Sequence, residues 1–310
     1  MKPSLLVLIS LRDDSYASVA ASFDILYAPT PEQRTQIIAS HGATIRAVLT
    51  NGTTGLTADE IDRLPDLEFV SALGAGYENI AVDYARARDI VLVNGAGTND
   101  DCVADHAFAL LLAAVRDIAQ RDRATRDGVW RDKLPLRPNV SGKRLGVLGL
   151  GNIGLKVARR AAGFDIETGY HNRKPREGSA LRYFDSVVAL AEWSDFLVIA
   201  TPGGAGTHHL VDRAVLDALG PLGFLVNVSR GSVVDTAALA AALEAGTLGG
   251  AGLDVYEGEP HLPQALVHLK NIVLTPHVAG SSPEAIGASV QNFLVNAQRH
   301  FAGEAVLTPI

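Results

Sequence analysis

Short apolar runs recur along this chain, each followed by a longer stretch with helical spacing. "LLVLIS", "IRAVLT", "LEFVSAL" and "IVLVN" come first, separated by stretches such as 31–41 and 80–88. Continuous apolar runs without polar alternation mark strands covered on both faces, so the rhythm predicts βαβ units around a parallel sheet. A polar break, "NGAGTNDD" at 94–101, then precedes "VADHAFALLLAAVRDIAQ". The length and apolar content of that stretch predict a largely buried helix, capped by Asn99 or Asp100.

A second, more regular series follows: "RLGVLGL", "DIETGYHN", "DFLVIATP", "GFLVNVS", "GGAGLDV" and "NIVLTP". These read as six strands with helices between most of them, the doubly wound α/β pattern. A final amphipathic stretch, roughly 283–302, must dock somewhere, and its return to the first domain is expected. The predicted architecture is therefore two doubly wound parallel-sheet domains with an interdomain cleft. One is 1–97 completed by the C-terminal helix 281–310; the other is 98–280.

Composition narrows the classes of function. The 310 residues carry a formal net charge of −7, which argues against a surface that coats nucleic acid, because phosphate neutralisation needs a basic face. Cys102 is the only cysteine, so an intrachain disulfide and a multi-cysteine zinc site are both excluded, and a reducing cytoplasm is the expected location. The N-terminal apolar run is too short to span a bilayer and lacks the flanks of a secretory signal, so no membrane partner is expected. The charge-dense segment 116–133 reads as a solvated helix and loop, with Trp130 either a packing anchor or an interface residue.

"LGVLGLGNIG" sets Gly149, Gly151 and Gly154 in the spacing G-x-G-x-x-G between an apolar strand and a helical pattern. That context suits dinucleotide binding: the first glycine makes the tight turn, the second admits the pyrophosphate, and the third lets the helix pack closely. The helix N-terminus, with Asn152 and Ile153 in its first turn, presents free N–H groups to phosphate. The next strand ends near His171 and Asn172, where an NAD site would place an Asp or Glu against the ribose. Arg173 follows, with Lys174 and Arg176 close by, while Asp165 and Glu167 precede the strand end. A guanidinium fork and an ammonium suit a dianionic phosphate, so the cofactor predicted is NADP(H) in preference to NAD(H).

Three further segments place polar residues just after predicted strands, on the edge where open α/β sheets bind ligands. They are "NVSRGSVVD" with Arg230, "GLDVYEGEP" with Glu259, and "LTPHVAGSS" with His277. Together with "GAGYEN", "VADHAFALLLAAVR" and the glycine turn, in this order, they make the chain resemble the D-isomer-specific 2-hydroxyacid dehydrogenases over nearly its whole length. The resemblance implies a Rossmann-type nucleotide domain, a flavodoxin-like substrate domain, and hydride transfer between nicotinamide C4 and C2 of a 2-oxo acid. It also implies Arg230, Glu259 and His277 as the catalytic residues. The chemistry agrees: ketone reduction develops negative charge on oxygen, so a proton and a positive field are needed. An adjacent carboxylate favours the imidazolium of His277 and orients the ring, and Arg230 cannot lose its charge.

By the same resemblance the amides of Ala75 and Gly76 hold the substrate carboxylate, with Asn51 and Gly52 adding contacts. Thr201 and Pro202 then lie beside the cofactor, and Asp254 lies near the nicotinamide carboxamide. The remaining histidines, including the tandem His208 and His209, are assigned no chemistry, and no metal is expected. The favoured activity is NADPH-dependent reduction of glyoxylate and hydroxypyruvate. Alternatives are reduction of an aromatic 2-oxo acid such as 4-hydroxyphenylpyruvate, or a dinucleotide-sensing corepressor without turnover. Formate oxidation fits less well, since it needs no acid–base relay and Glu259 stands where that relative has Gln. A homodimer is expected, with "VADHAFALLLAAVR" and the segment through Trp130 as candidate interface, although an apolar helix of this kind equally suits intramolecular core.

Overall fold

A computed structural model describes residues 2–310. They divide into two units: residues up to Asn99 together with Gly280–Ile310, and residues Asp100–Ala279. In the first unit the strands β1 (Ser4–Val7), β2 (Asp24–Tyr27), β3 (Ala47–Thr50), β4 (Phe69–Ala72) and β5 (Val91–Asn94) form one parallel sheet in the order β2-β1-β3-β4-β5. This is the flavodoxin-like doubly wound order. Strand β2 was not among the predicted strands. Its "DILY" sits at the sheet edge and is less buried than the central strands, so it lacks the continuous apolar signature.

The C-terminal helix, Pro283–Phe301, belongs to this first unit. Ser282 caps it, and Val290, Phe293 and Ala297 enter the core beside Leu5, Val7, Leu49 and Phe69. The tail beyond it is tied to β5, with Ile310 N–H donating to Leu92 O at 3.0 Å and Asn94 N–H to Thr308 O at 3.1 Å.

The second unit holds β6 (Arg144–Leu148), β7 (Glu167–His171), β8 (Arg182–Tyr183), β9 (Phe196–Ile199), β10 (Phe224–Asn227), β11 (Gly250–Leu253) and β12 (Ile272–Leu274). All pairings are parallel, in the order β12-β11-β10-β9-β6-β7-β8. Counted from β6, this is the Rossmann order extended by one strand. The sheet has seven strands where six were expected, because β8 is a two-residue edge pairing too short to leave a hydrophobic period.

The helix Asp100–Arg116 turns Val103, Ala107, Leu110, Leu111 and Ala114 into the core under this sheet. It is so tight against β11 that a Cβ on Gly252 would lie 2.9 Å from the Leu110 Cβ. Its apolar face is thus core of its own unit. The helix also ends earlier than the apolar pattern implied: Asp117, at φ 58°, is left-handed, and a separate helix, Ile118–Arg126, follows with no buried residue.

Candidate functional site

The order of the second sheet reverses between β6 and β9, and the glycine turn lies at that switch. The three glycines meet three different constraints. Gly149 has φ 99°, and a Cβ there would come within 2.7 Å of Thr201 N, so the turn after β6 is pressed against the end of β9. A Cβ on Gly154 would lie 2.2 Å from Gly149 O, which fixes the approach of the helix Asn152–Ala162 to its own turn. Around Gly151 a Cβ would meet nothing within 4 Å. That position, the N-cap, carries no side-chain cap, so the first-turn amides of Asn152 and Ile153 face an open approach. Open space over an uncapped helix N-terminus suits the pyrophosphate of a dinucleotide.

The register of β6 with β7 pairs Leu148 with His171 and Arg144 with Glu167. Glu167 therefore lies at the far end of its strand from the glycine turn. At the near end, Asn172 Oδ1 accepts the Leu150 N–H at 2.7 Å, which takes up that side chain within the turn. Arg176 is tied back as well: its N–H donates to the Tyr170 hydroxyl at 2.8 Å and Nη1 donates to Leu150 O at 3.1 Å. Arg173 and Lys174 are exposed and have no hydrogen bond or ion pair among the described residues. The basic cluster thus splits into one arginine that anchors the loop and two cations that project from it. Thr201 and Pro202 follow β9, and Pro202 O accepts the Thr207 hydroxyl at 2.8 Å.

Arg230, Glu259 and His277 each follow a strand of this sheet: β10, β11 and β12 respectively. His277 Nδ1 and Glu259 Oε2 are 2.6 Å apart. A carboxylate only accepts, so Nδ1 carries the proton and Nε2 remains the ring's outward functional atom. Burial disfavours the Glu259 carboxylate, but the bond from His277, the Tyr256 N–H at 2.8 Å and the charge of Arg230 outweigh it and hold its pKa below the ordinary glutamate value. Arg230 is half-buried, with Nη1 donating to Ser229 O at 2.6 Å. A Cβ on the next residue, Gly231, would fall 1.9 Å from Tyr256 C, so the Arg230 turn and the Glu259 loop pack against each other directly.

Asp254, expected beside the carboxamide, is fully buried and its carboxylate holds the turn around His277. It accepts the Thr275 hydroxyl at 2.6 Å, Val278 N–H at 2.9 Å and Ala279 N–H at 2.8 Å. Since the Thr275 proton goes to Asp254, the 2.9 Å contact between Thr275 Oγ1 and His106 Nε2 has histidine as donor. Several structuring residues escaped the sequence reading. Buried Asn227 shapes the Arg230 turn, with Nδ2 donating to Arg230 O at 2.9 Å and Oδ1 accepting the Ser229 N–H at 3.0 Å. Tyr256 donates to Thr275 O at 2.6 Å, and burial first, then the charge of Asp254, push its hydroxyl to about 12. Only Asn227 left a sequence signal: an amide closing an otherwise apolar strand.

In the first unit, the loops after β3 and β4 meet. A Cβ on Gly52 would sit 2.6 Å from Gly76 C, so these two residues touch through backbone alone. Asn94 Nδ2 holds Ala75 O at 2.8 Å. The Asn51 side chain closes its own turn by accepting Thr54 N–H at 2.7 Å.

The profile described as "D-isomer specific 2-hydroxyacid dehydrogenase, NAD binding domain" matches residues 108–279, more than half of the chain. The chain belongs to this family and is an NAD(P)-dependent oxidoreductase. It is 39% identical over 289 residues to glyoxylate/hydroxypyruvate reductase A of Arabidopsis thaliana, covering 93% of this chain and 92% of that one. It is 41% identical over 285 residues to the hydroxyphenylpyruvate reductase of Plectranthus scutellarioides, covering 92% and 91%. Among solved structures it resembles the NADPH-dependent glyoxylate/hydroxypyruvate reductase of Sinorhizobium meliloti in complex with NADP and malonate. That likeness has a TM-score of 0.92 at 36% identity and covers 100% of this chain and 97% of the other.

Proposed function

We propose that this protein reduces small 2-oxo acids, glyoxylate and hydroxypyruvate first, to D-2-hydroxy acids with NADPH. The observation that carries the reading is the 2.6 Å pair of His277 Nδ1 and Glu259 Oε2 within reach of the Arg230 charge, in a chain of this family. When bound, the dinucleotide supplies the hydride. His277 Nε2 delivers a proton to the ketone oxygen, and Glu259 holds the ring and balances the imidazolium. Arg230 binds the substrate carboxylate and polarises the carbonyl. The amides of Ala75 and Gly76 take the carboxylate's remaining lone pairs, with Asn51 and Gly52 shaping that loop. In the reverse direction His277 is the base.

NADP(H) is preferred over NAD(H) because Arg173 and Lys174 meet the 2′-phosphate where no acid can meet a ribose hydroxyl, while Arg176, Asn172 and the Gly149–Gly154 turn hold the phosphate-binding backbone. The two cations have no competing ion pair among the described residues, which supports this reading. The hydroxyphenylpyruvate reductase relative favours a second substrate reading, an aromatic 2-oxo acid in the same site.

The test is a spectrophotometric screen of glyoxylate, hydroxypyruvate, pyruvate and hydroxyphenylpyruvate with NADPH and NADH. Turnover of the two smallest hydroxy- or aldehyde-type acids with NADPH is expected. Absence of turnover on all four overturns the activity, and equal or better kcat/KM with NADH overturns the cofactor preference. We also infer a cytoplasmic homodimer built on the segment through Trp130, where Trp130 is 66% and Leu136 99% exposed. Sedimentation showing only monomer at micromolar concentration would count against it.

A further inference from the structure

We propose that His208, His209 and Glu257 form a binding site for a divalent transition-metal ion of the zinc class, outside the proton relay. The three side chains offer two imidazole nitrogens and one carboxylate oxygen, and these ligand atoms all lie within 4.8 Å of one another. Four-coordinate zinc with bonds of about 2.0–2.1 Å sets its ligands roughly 3.3 Å apart. His209 Nε2 and Glu257 Oε1, at 2.7 Å, stand inside that spacing. A shift of about an ångström in one exposed and two half-buried side chains seats an ion. A nitrogen-rich set selects zinc over calcium or magnesium, which prefer all-oxygen shells, and water completes the fourth position.

Backbone contacts hold the frame around Glu257 and His209. Glu257 Oε2 accepts the Thr236 N–H at 3.1 Å, which aims Oε1 at the histidines. The backbone N–H of His209 donates to Ser232 O at 2.8 Å, and Val211 bridges to Val234, so the chain is tied at His209 and just beyond it. An ordinary histidine–carboxylate pair needs one imidazole. Here the second ring, His208, stacks on the first with centroids 4.0 Å apart and planes 28° apart, and a nitrogen of it lies within 4.8 Å of the same carboxylate. An imidazole's lone pair lies in the plane of its ring, so the stacked rings turn to bring both to one cation.

The site also has a mechanical position. Tyr256 and Glu257 pack on Gly231, and a Cβ there would lie 2.4 Å from Glu257 N. An ion on Glu257 therefore braces the loop that carries Glu259 against the turn that carries Arg230. This consequence rests on the proposed roles of those two residues; the binding itself does not.

The experiment is calorimetric titration of chelator-stripped full-length protein with zinc chloride alone, repeated with cobalt(II) to read the visible bands of tetrahedral coordination, alongside thermal melts. Wild type is expected to bind one ion at this site and to melt higher with zinc. His208→Ala, His209→Ala and Glu257→Gln should each weaken binding at least tenfold and abolish the zinc-dependent rise, while His268→Ala, a histidine outside the cluster, changes neither. His208 is exposed and Glu257→Gln preserves shape, so a folded variant is available for the comparison. Binding by wild type no tighter than by these variants, or loss that follows His268→Ala instead, overturns the site. Zinc binding by a wild-type protein that reduces none of the four 2-oxo acids would refute the catalytic reading and leave the metal site standing.

Discussion

The backbone N–H of His277 donates to Asp254 O at 2.8 Å, while the Asp254 carboxylate binds the amides of the two residues that follow His277. Asp254 thus clamps the turn on both sides of His277, which itself sits at φ 54°, a region that non-glycine residues rarely adopt. The clamp supplies hydrogen bonds that hold this conformation and keep Nδ1 aimed at Glu259.

Asp254→Asn tests that clamp. An amide turns a donor toward N–H groups already in place, and each buried group left unpaired costs about 1–3 kcal/mol. The melting temperature should fall by several degrees, and kcat more than tenfold, with NADPH affinity held within about twofold. A selective loss of dinucleotide affinity, measured by fluorescence titration, would favour the carboxamide contact implied by family resemblance over the clamp.

His277→Ala should lower kcat for glyoxylate by about 10²–10⁴-fold, the usual contribution of a positioned general acid. NADPH binding should persist, since no part of that role involves the dinucleotide phosphates. Reduction rates within a factor of two of wild type would remove His277 from the proton transfer.

The glycine turn gives a paired prediction from available space. Gly151→Ala adds a methyl where nothing lies within 4 Å, so stability should be unchanged while dinucleotide affinity drops at least tenfold. Gly154→Ala drives a methyl to 2.2 Å from Gly149 O, so the melting temperature itself should fall. Melts and binding isotherms on both variants separate the two effects; equal melting losses would contradict the assignment.

Arg173→Ala and Lys174→Ala should each raise KM for NADPH about tenfold, near 1.4 kcal/mol, and leave KM for NADH within twofold. Arg176→Ala should instead weaken both cofactors, because its guanidinium holds the Leu150 carbonyl inside the glycine turn. Equal effects of Arg173→Ala on NADPH and NADH would discard the 2′-phosphate contact.

His300, on the C-terminal helix, predicts a pH dependence of stability. Burial chiefly lowers its pKa, against the opposing charge of Glu68, whose Oε2 is 3.6 Å away. A histidine that resists protonation when folded binds its proton more readily when unfolded, so stability falls as pH drops from about 6.5 toward the folded pKa. His300→Phe should flatten that part of the curve in urea denaturation at pH 5 and pH 7.5. An unchanged slope would show that His300 does not set it.

Much of the sheet was legible because buried parallel strands write continuous apolar runs, as "FLVI" of β9 and "FLVN" of β10 do. The edge strands β2 and β8 were not, since an edge position needs little hydrophobicity and β8 spans two residues. The break at Asp117 was likewise hidden: an apolar pattern runs through it, and only the backbone shows the left-handed residue.

By itself the sequence determined the alternation of strands and helices, the glycine turn and its missing carboxylate, and the order of Arg230, Glu259 and His277 along the chain. These follow from local chemistry, where side-chain period and residue type act within a few positions. Tertiary structure alone decided which polar groups meet. Thr275 and Asp254 are 21 positions apart and His106 and Thr275 are 169, yet they share one network. The hydrogen-bonding capacity of a carboxylate is the same in every sequence, and only packing determines whether ligand or backbone takes it up.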